Sequence, residues 1–125
     1  MIKRLPDSEF ELMRVVWDCE APVITSEIIK RLAPSKSWKP QTVLTILVRL
    51  IEKGFLASER IGRERNYTPI ILEQEYIEAE TQGFVARYRG NSLGSLVKTM
   101  YDGKNLSLQD IDELKNWIKE KERGV

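Results

Sequence analysis

Apolar residues recur along most of the chain at spacings of three and four, the period of an amphipathic helix, and depart from it in one short central stretch. Asp7 or Ser8 is placed to cap a first helix in which Phe10, Met13, Val16 and Trp17 make one buried stripe ending near Cys19. Ala21-Pro22-Val23 reads as an extended connector. Thr25 offers the next cap and Glu27 an early acid, opening a second helix whose apolar side is Ile28, Ile29 and Leu32. Turn chemistry from Ala33 to Ser37 then gives way to a third helix, with Pro40 where a first helical residue belongs and Gly54 where a C-terminal cap belongs.

The central departure follows at once. Residues 55–60 and 65–69 flank Ile61-Gly62-Arg63-Glu64, and Gly62 supplies the positive φ that a hairpin tip often needs. From about Glu73 onward no strand pattern appears. Ile77, Phe84 and Tyr88 form one helical stripe, and Leu93, Leu96, Val97, Met100 and Tyr101 a second. Ser107 and Asp110 resemble a capping box ahead of a third, formed by Ile111, Leu114, Trp117 and Ile118. Arg89-Gly90-Asn91 and Asp102-Gly103-Lys104 mark the breaks between them. The expected fold is mainly α with a small β-hairpin wing: an N-terminal winged helix-turn-helix over residues 1–72 and a C-terminal helical dimerisation region over residues 73–125. Some fifty residues carry three bulky apolar stripes and too little mass to bury them, so a second copy is expected to cover Phe84, Tyr88, Leu93, Leu96, Val97, Met100, Ile111, Leu114, Trp117 and Ile118.

Charge changes the picture through its distribution. The whole chain of 125 residues is nearly balanced, at a net +1. Residues 1–70 hold 12 basic and 9 acidic groups, residues 71–125 hold 8 and 10, and the segment 28–65 holds 9 against 3. A local positive face is what phosphate binding needs, and this one coincides with the third helix and the hairpin. On a helical wheel Thr42, Thr45, Arg49 and Lys53 fall on one side of that helix, opposite Val43, Leu47, Leu50 and Ile51. Threonines are short enough for a helix pressed against base edges, Gln41 has the paired donor and acceptor that read adenine, and Lys39 stands beside it. Arg60, Arg63 and Arg65 suit phosphates or a narrow minor groove. The competing readings are an ordinary solvated helix face and a hairpin edge kept soluble by charge. Double-stranded DNA is the partner that accounts for helix and hairpin together.

Other chemistries find little here. The chain has no histidine and one cysteine, so a disulfide within the chain and the usual zinc or copper ligand sets are excluded, no cofactor is implied, and a reducing cytoplasm is the expected compartment. No catalytic residue is assigned: the commonest general base is missing, no glycine-rich phosphate loop occurs, and Glu73, Glu75, Glu78 and Glu80 read as a solvated helix face. Trp17 belongs to the core stripe, Trp38 is open between stacking and packing, and Trp117 reads as an interface anchor. No segment reaches the roughly 18 apolar residues of a membrane span, and no secretion signal follows the first basic pair.

Several motifs resemble the penicillinase repressor family (BlaI/MecI). They are Ser8-Glu9-Phe10-Glu11-Leu12-Met13 with Val16-Trp17, Lys39-Pro40-Gln41-Thr42-Val43-Leu44-Thr45 with Arg49-Leu50 and Lys53-Gly54, and Tyr67-Thr68-Pro69. The likeness continues through Tyr76-Ile77-Glu78, Phe84, Ser95-Leu96-Val97 and Leu106-Ser107 with Ile111-Asp112-Glu113-Leu114. It implies a homodimeric winged-helix repressor on palindromic operators of β-lactam resistance or related genes, relieved by proteolysis of the C-terminal region through a membrane sensor protease. Two positions depart from the family. Leu44 stands where the family often has a basic residue, and Thr99-Met100 stands where its best-known scissile bond joins Asn to Phe, so no cleavage site is carried over. The alternatives of another class are a winged-helix adaptor that binds protein without DNA, and a regulator of unrelated genes released by a small ligand.

Overall fold

A computed structural model describes residues 2–124. The elements run α1 (Asp7–Asp18), β1 (Val23–Ile24), α2 (Thr25–Leu32), α3 (Pro40–Glu52), β2 (Leu56–Ile61), β3 (Glu64–Pro69), α4 (Glu73–Arg87), α5 (Leu93–Asp102) and α6 (Leu108–Arg123). The chain forms two compact units, the first reaching Val85 and the second starting at Ala86, so the division falls inside α4.

The first unit packs α1, α2 and α3 with an antiparallel sheet ordered β1-β3-β2. Leu12, Met13 and Val16 of α1, Ile28 and Leu32 of α2, and Val43, Ile46, Leu47 and Leu50 of α3 make its core with Phe55, Leu56 and Tyr67. At α3 the sequence chemistry of both ends sets the bounds. α3 starts at Pro40, whose missing N–H costs nothing at a helix start. It stops at Gly54, with φ +82°, where the Gly54 amide donates to Ile51 and the Phe55 amide to Leu50. That pair of bonds is a Schellman motif, and it requires the left-handed conformation glycine adopts without strain.

The first two expected caps are not formed. α1 begins at Asp7 itself, behind Pro6, and α2 begins at Thr25, behind Ile24; in neither does a side chain cap the start. The reason at α2 is the strand before it. Val23, expected as the end of an extended connector, and Ile24 after it pair with Tyr67 and Asn66 and deliver the chain directly from sheet to helix. Asp7 and Glu9 in the first turn of α1 and Glu27 in that of α2 still set negative charge against the helix dipoles.

Two further residues of the core lay outside the expected stripes. Glu9 is buried on α1 and meets the Lys53 ammonium at the end of α3. Tyr76, in the first turns of α4, is buried in the first unit and forms an aromatic group with Phe10, Trp17 and Phe55, at ring separations of 5.6–5.7 Å from it. Its hydroxyl accepts a hydrogen bond from the Leu5 amide at 2.8 Å. Trp17 joins this core and donates its indole N–H to the Ile71 carbonyl at 2.9 Å. Trp38 is half-buried against the same core, with the Lys36 ammonium 5.7 Å above its ring.

The second unit is helical throughout its described length. Ser92 caps α5, and Ser107 with Asp110 forms the expected capping box at α6. Hydrogen bonding by Ser107, foremost from its backbone amide at 2.8 Å and then from its side chain, holds the Asp110 carboxyl below the usual carboxylate range. No described residue of α5 or α6 is fully buried. Leu93, Leu108 and Trp117 stand largely in solvent, and Leu96, Val97 and Ile111 are only half covered.

Candidate nucleic-acid interface

The solvent face of α3 and the β2–β3 hairpin lie in the same unit and share a joint, because Phe55 alone separates the glycine that ends the helix from the first residue of β2. Gly62, at φ +66°, and Arg63 form a two-residue tip between Ile61 and Glu64, which face each other across the hairpin. Glycine at the first central position of such a tip is what a turn matched to strand twist requires.

Along the hairpin Arg60 sits directly opposite Arg65. Like charges in that register repel, so the fold gains nothing from the arrangement. Arg65 also donates to the Ser58 hydroxyl at 3.0 Å, which aims its guanidinium along the strand. A shallow cleft runs between the start of α2, at Thr25 and Ser26, and Arg60, Arg63 and Arg65. The cleft was not foreseen, since it depends on the β1–β3 pairing that brings α2 beside the wing.

The arginines of the first unit divide sharply. Arg4 pairs with Glu80, Arg14 with Glu11, and Arg31 with Asp18 and Glu27. Arg49, Arg60, Arg63 and Arg65 are exposed, and among the described residues none of the four is in an ion pair. All four belong to α3 or the hairpin.

On α3 the exposed residues are Pro40, Gln41, Thr42, Leu44, Thr45, Val48, Arg49 and Glu52, with Lys39 at the helix entrance. The centre of this face differs from the wheel's. Ile46 is buried and closes the side next to Thr42, so the outward direction turns toward Gln41, Thr45 and Val48. Thr45 donates its hydroxyl to the Gln41 carbonyl at 3.0 Å. Lys53, expected among the DNA contacts, is paired through its ammonium with Glu9, whose side chain is 4% exposed, so this cation neutralises an internal carboxylate. Polar spacing on a wheel does not reveal a buried acid on another helix.

Cys19 is half-buried at the end of α1, and burial raises its thiol pKa against the opposing charge of Arg31, which makes it a poor nucleophile. Among the described residues no group of histidine, cysteine, aspartate and glutamate is arranged to hold a metal, and no helix is long and apolar enough to cross a membrane.

Three helices, a three-stranded sheet and an arginine-bearing hairpin at the end of the third helix define a winged helix-turn-helix protein. Residues 5–120 match the family model described as Penicillinase repressor. The chain belongs to that family. It is 37% identical over 119 residues to the Penicillinase repressor of Bacillus licheniformis, covering 95% of this chain and 92% of the relative. It is 25% identical over 117 residues to the Methicillin resistance regulatory protein MecI of Staphylococcus aureus (strain N315), covering 94% of each. Among solved structures it resembles the solution structure of the DNA-binding domain of the repressor BlaI, with TM-score 0.54 and 41% identity over 61% of this chain and 92% of that one. The solution structure of monomeric Bacillus licheniformis BlaI in complex with the blaP half-operator matches over the same shares at TM-score 0.52 and 41% identity.

Proposed function

We propose that this chain is a sequence-specific transcriptional repressor that binds double-stranded operator DNA as a homodimer and controls antibiotic-resistance or related genes in the cytoplasm. The observation that carries the reading is the sorting of the arginines: those elsewhere in the first unit are neutralised by carboxylates, and those on α3 and the wing are left for an external anion. A duplex supplies such anions as phosphates along its backbone, and BlaI, 41% identical over the matched region, has been solved on a half-operator.

In the proposed complex α3 enters the major groove. Gln41, Thr42 and Thr45 face base edges, Lys39 and Arg49 meet bases or phosphates, and Arg60, Arg63 and Arg65 grip the backbone. The proposed division of labour places DNA binding in residues 1–72 and pairing in residues 73–125. The apolar faces of α5 and α6, together with Phe84 and Tyr88, form the pairing surface. Support comes from the second unit itself, where Leu93 is 68% and Trp117 56% exposed, more apolar surface than so small a unit carries without a partner. Two-fold pairing sets the two copies of α3 about 34 Å apart and calls for a near-palindromic operator. Relief of repression follows from any event that separates the paired tails, proteolysis included. The chain acts by binding, with no catalytic step and no cofactor.

Fluorescence anisotropy with a duplex from the chain's own promoter and with a scrambled duplex, each titrated with salt, tests this. A repressor binds the first far more tightly, with affinity falling steeply as salt rises. Equal and feeble binding to both would leave a protein-binding adaptor as the better account.

A further inference from the structure

The outward face of α3 holds two large apolar side chains that the core does not use. Leu44 is 39% and Val48 52% exposed, one turn apart on the same side of the helix. Between them lies Thr45, whose hydroxyl proton is committed to the Gln41 carbonyl at 3.0 Å, so toward a ligand it offers a methyl group and an acceptor. A base-reading face is ordinarily rich in donors, yet the middle of this one is hydrocarbon. Lys39, Gln41 and Arg49 flank it and anchor it to a polyanion.

Resting on the reading above that α3 enters the major groove, we infer that Leu44 and Val48 are specificity-determining residues that recognise thymine by its 5-methyl group. The methyl is the one apolar feature a base pair presents in the major groove, and it distinguishes T·A from every other pair through packing alone. An aliphatic side chain pressed on it removes both from water. A leucine or valine over a cytosine or guanine edge instead covers a polar atom and leaves its hydrogen bond unmade, which penalises the wrong base. The half-site under α3 is therefore expected to contain thymines where Leu44 and Val48 land, with the adjoining contacts fixed by Gln41 and Arg49.

The test begins with selection of bound duplexes from a randomised pool by the full-length protein. Each thymine of the enriched half-site is then replaced singly by deoxyuridine, which deletes the methyl and keeps every hydrogen-bonding group. One or more positions are expected to lose about four-fold in affinity, the magnitude for burying one methyl-sized group. In Leu44→Ala or Val48→Ala, whose native side chains lie outside the core, that position should bind thymine and uracil alike. Tight binding that ignores every uracil replacement, or a uracil penalty unchanged in both variants, overturns the inference and leaves the repressor reading standing. A pool that yields no enriched duplex overturns both.

Discussion

The hydroxyl of Tyr76 accepts a hydrogen bond from the amide of Leu5 at 2.8 Å, tying the chain ahead of α1 to the start of α4 across 71 residues of sequence. Both residues are buried, so the amide has no water to turn to if the hydroxyl is removed. Tyr76→Phe should cost about 1–3 kcal/mol, the range for a stranded buried donor, and lower the thermal midpoint of the first unit. A midpoint equal to the parent's would mean that the bond contributes nothing.

The same tyrosine makes stability depend on alkaline pH. Burial pushes the Tyr76 phenol above its ordinary value, with the Leu5 amide opposing. A raised pKa leaves stability whole below the unfolded value of about 10, and lost as pH rises through the folded value, because the unfolded phenol ionises first. Denaturant midpoints measured across this window should fall for the parent more steeply than for Tyr76→Phe. Parallel curves would refute the assignment.

Lys53 and Glu9 give a prediction in which stability and binding part company. Lys53→Ala strands a carboxylate whose side chain is 4% exposed, while the lysine itself is 36% exposed and partly screened. The loss expected is about 1–3 kcal/mol, below the range for a fully buried pair. Duplex affinity, taken well below the melting temperature, should scarcely change, and Arg49→Ala should do the reverse. An affinity loss in Lys53→Ala as large as that in Arg49→Ala would place Lys53 in the interface as well.

On the wing the two readouts should move in opposite directions. Arg60 and Arg65 face each other across the hairpin, so Arg60→Thr relieves a repulsion and adds a β-branched residue to a strand. We expect a thermal midpoint equal to or above the parent's. Affinity for every duplex should meanwhile weaken, and the slope of log affinity against log salt should drop by about one unit. A substitution that lowers stability and spares binding would identify these arginines as structural.

The second unit predicts an assembly. Replacing Trp117 or Leu93 by glutamate places charge on the exposed apolar faces of α6 and α5. Sedimentation should then show a monomer whose first unit keeps its melting behaviour. Operator affinity should fall by orders of magnitude as the linked second half-site contact disappears. A parent chain that sediments as a monomer at micromolar concentration would remove the basis of this proposal.

How much of this was legible beforehand follows from how local each cause is. The bounds of α3 were readable because Pro40 and Gly54 act on their own backbone. The capping box at Ser107 and the hairpin tip at Gly62 are equally local. β1 was missed because two residues cannot display an alternation, and its pairing with Tyr67 and Asn66 lies in the tertiary structure. Glu9 and Tyr76 were missed for the same reason. A buried carboxylate has meaning only beside Lys53, and a tyrosine among glutamates on a weakly amphipathic α4 gives no periodic signal. The outward face of α3 differs from the wheel's because a wheel ranks residues by polarity, whereas packing buries Ile46 and leaves Leu44 exposed.

Phe55 ends α3 through its amide, accepts the Ile70 amide through its carbonyl at 2.8 Å, and sets its ring edge-on to Tyr76. One residue, through its ring, its amide and its carbonyl, thus fastens helix, flap and the following segment as a single casting. On the proposed reading, such a casting leaves the probe no way to be re-aimed while its clamp stays put. A descendant that adopts a different target would have to swap the tips of its side chains on an unmoved frame, and alternative targets should keep the same distance between the bases read and the phosphates held.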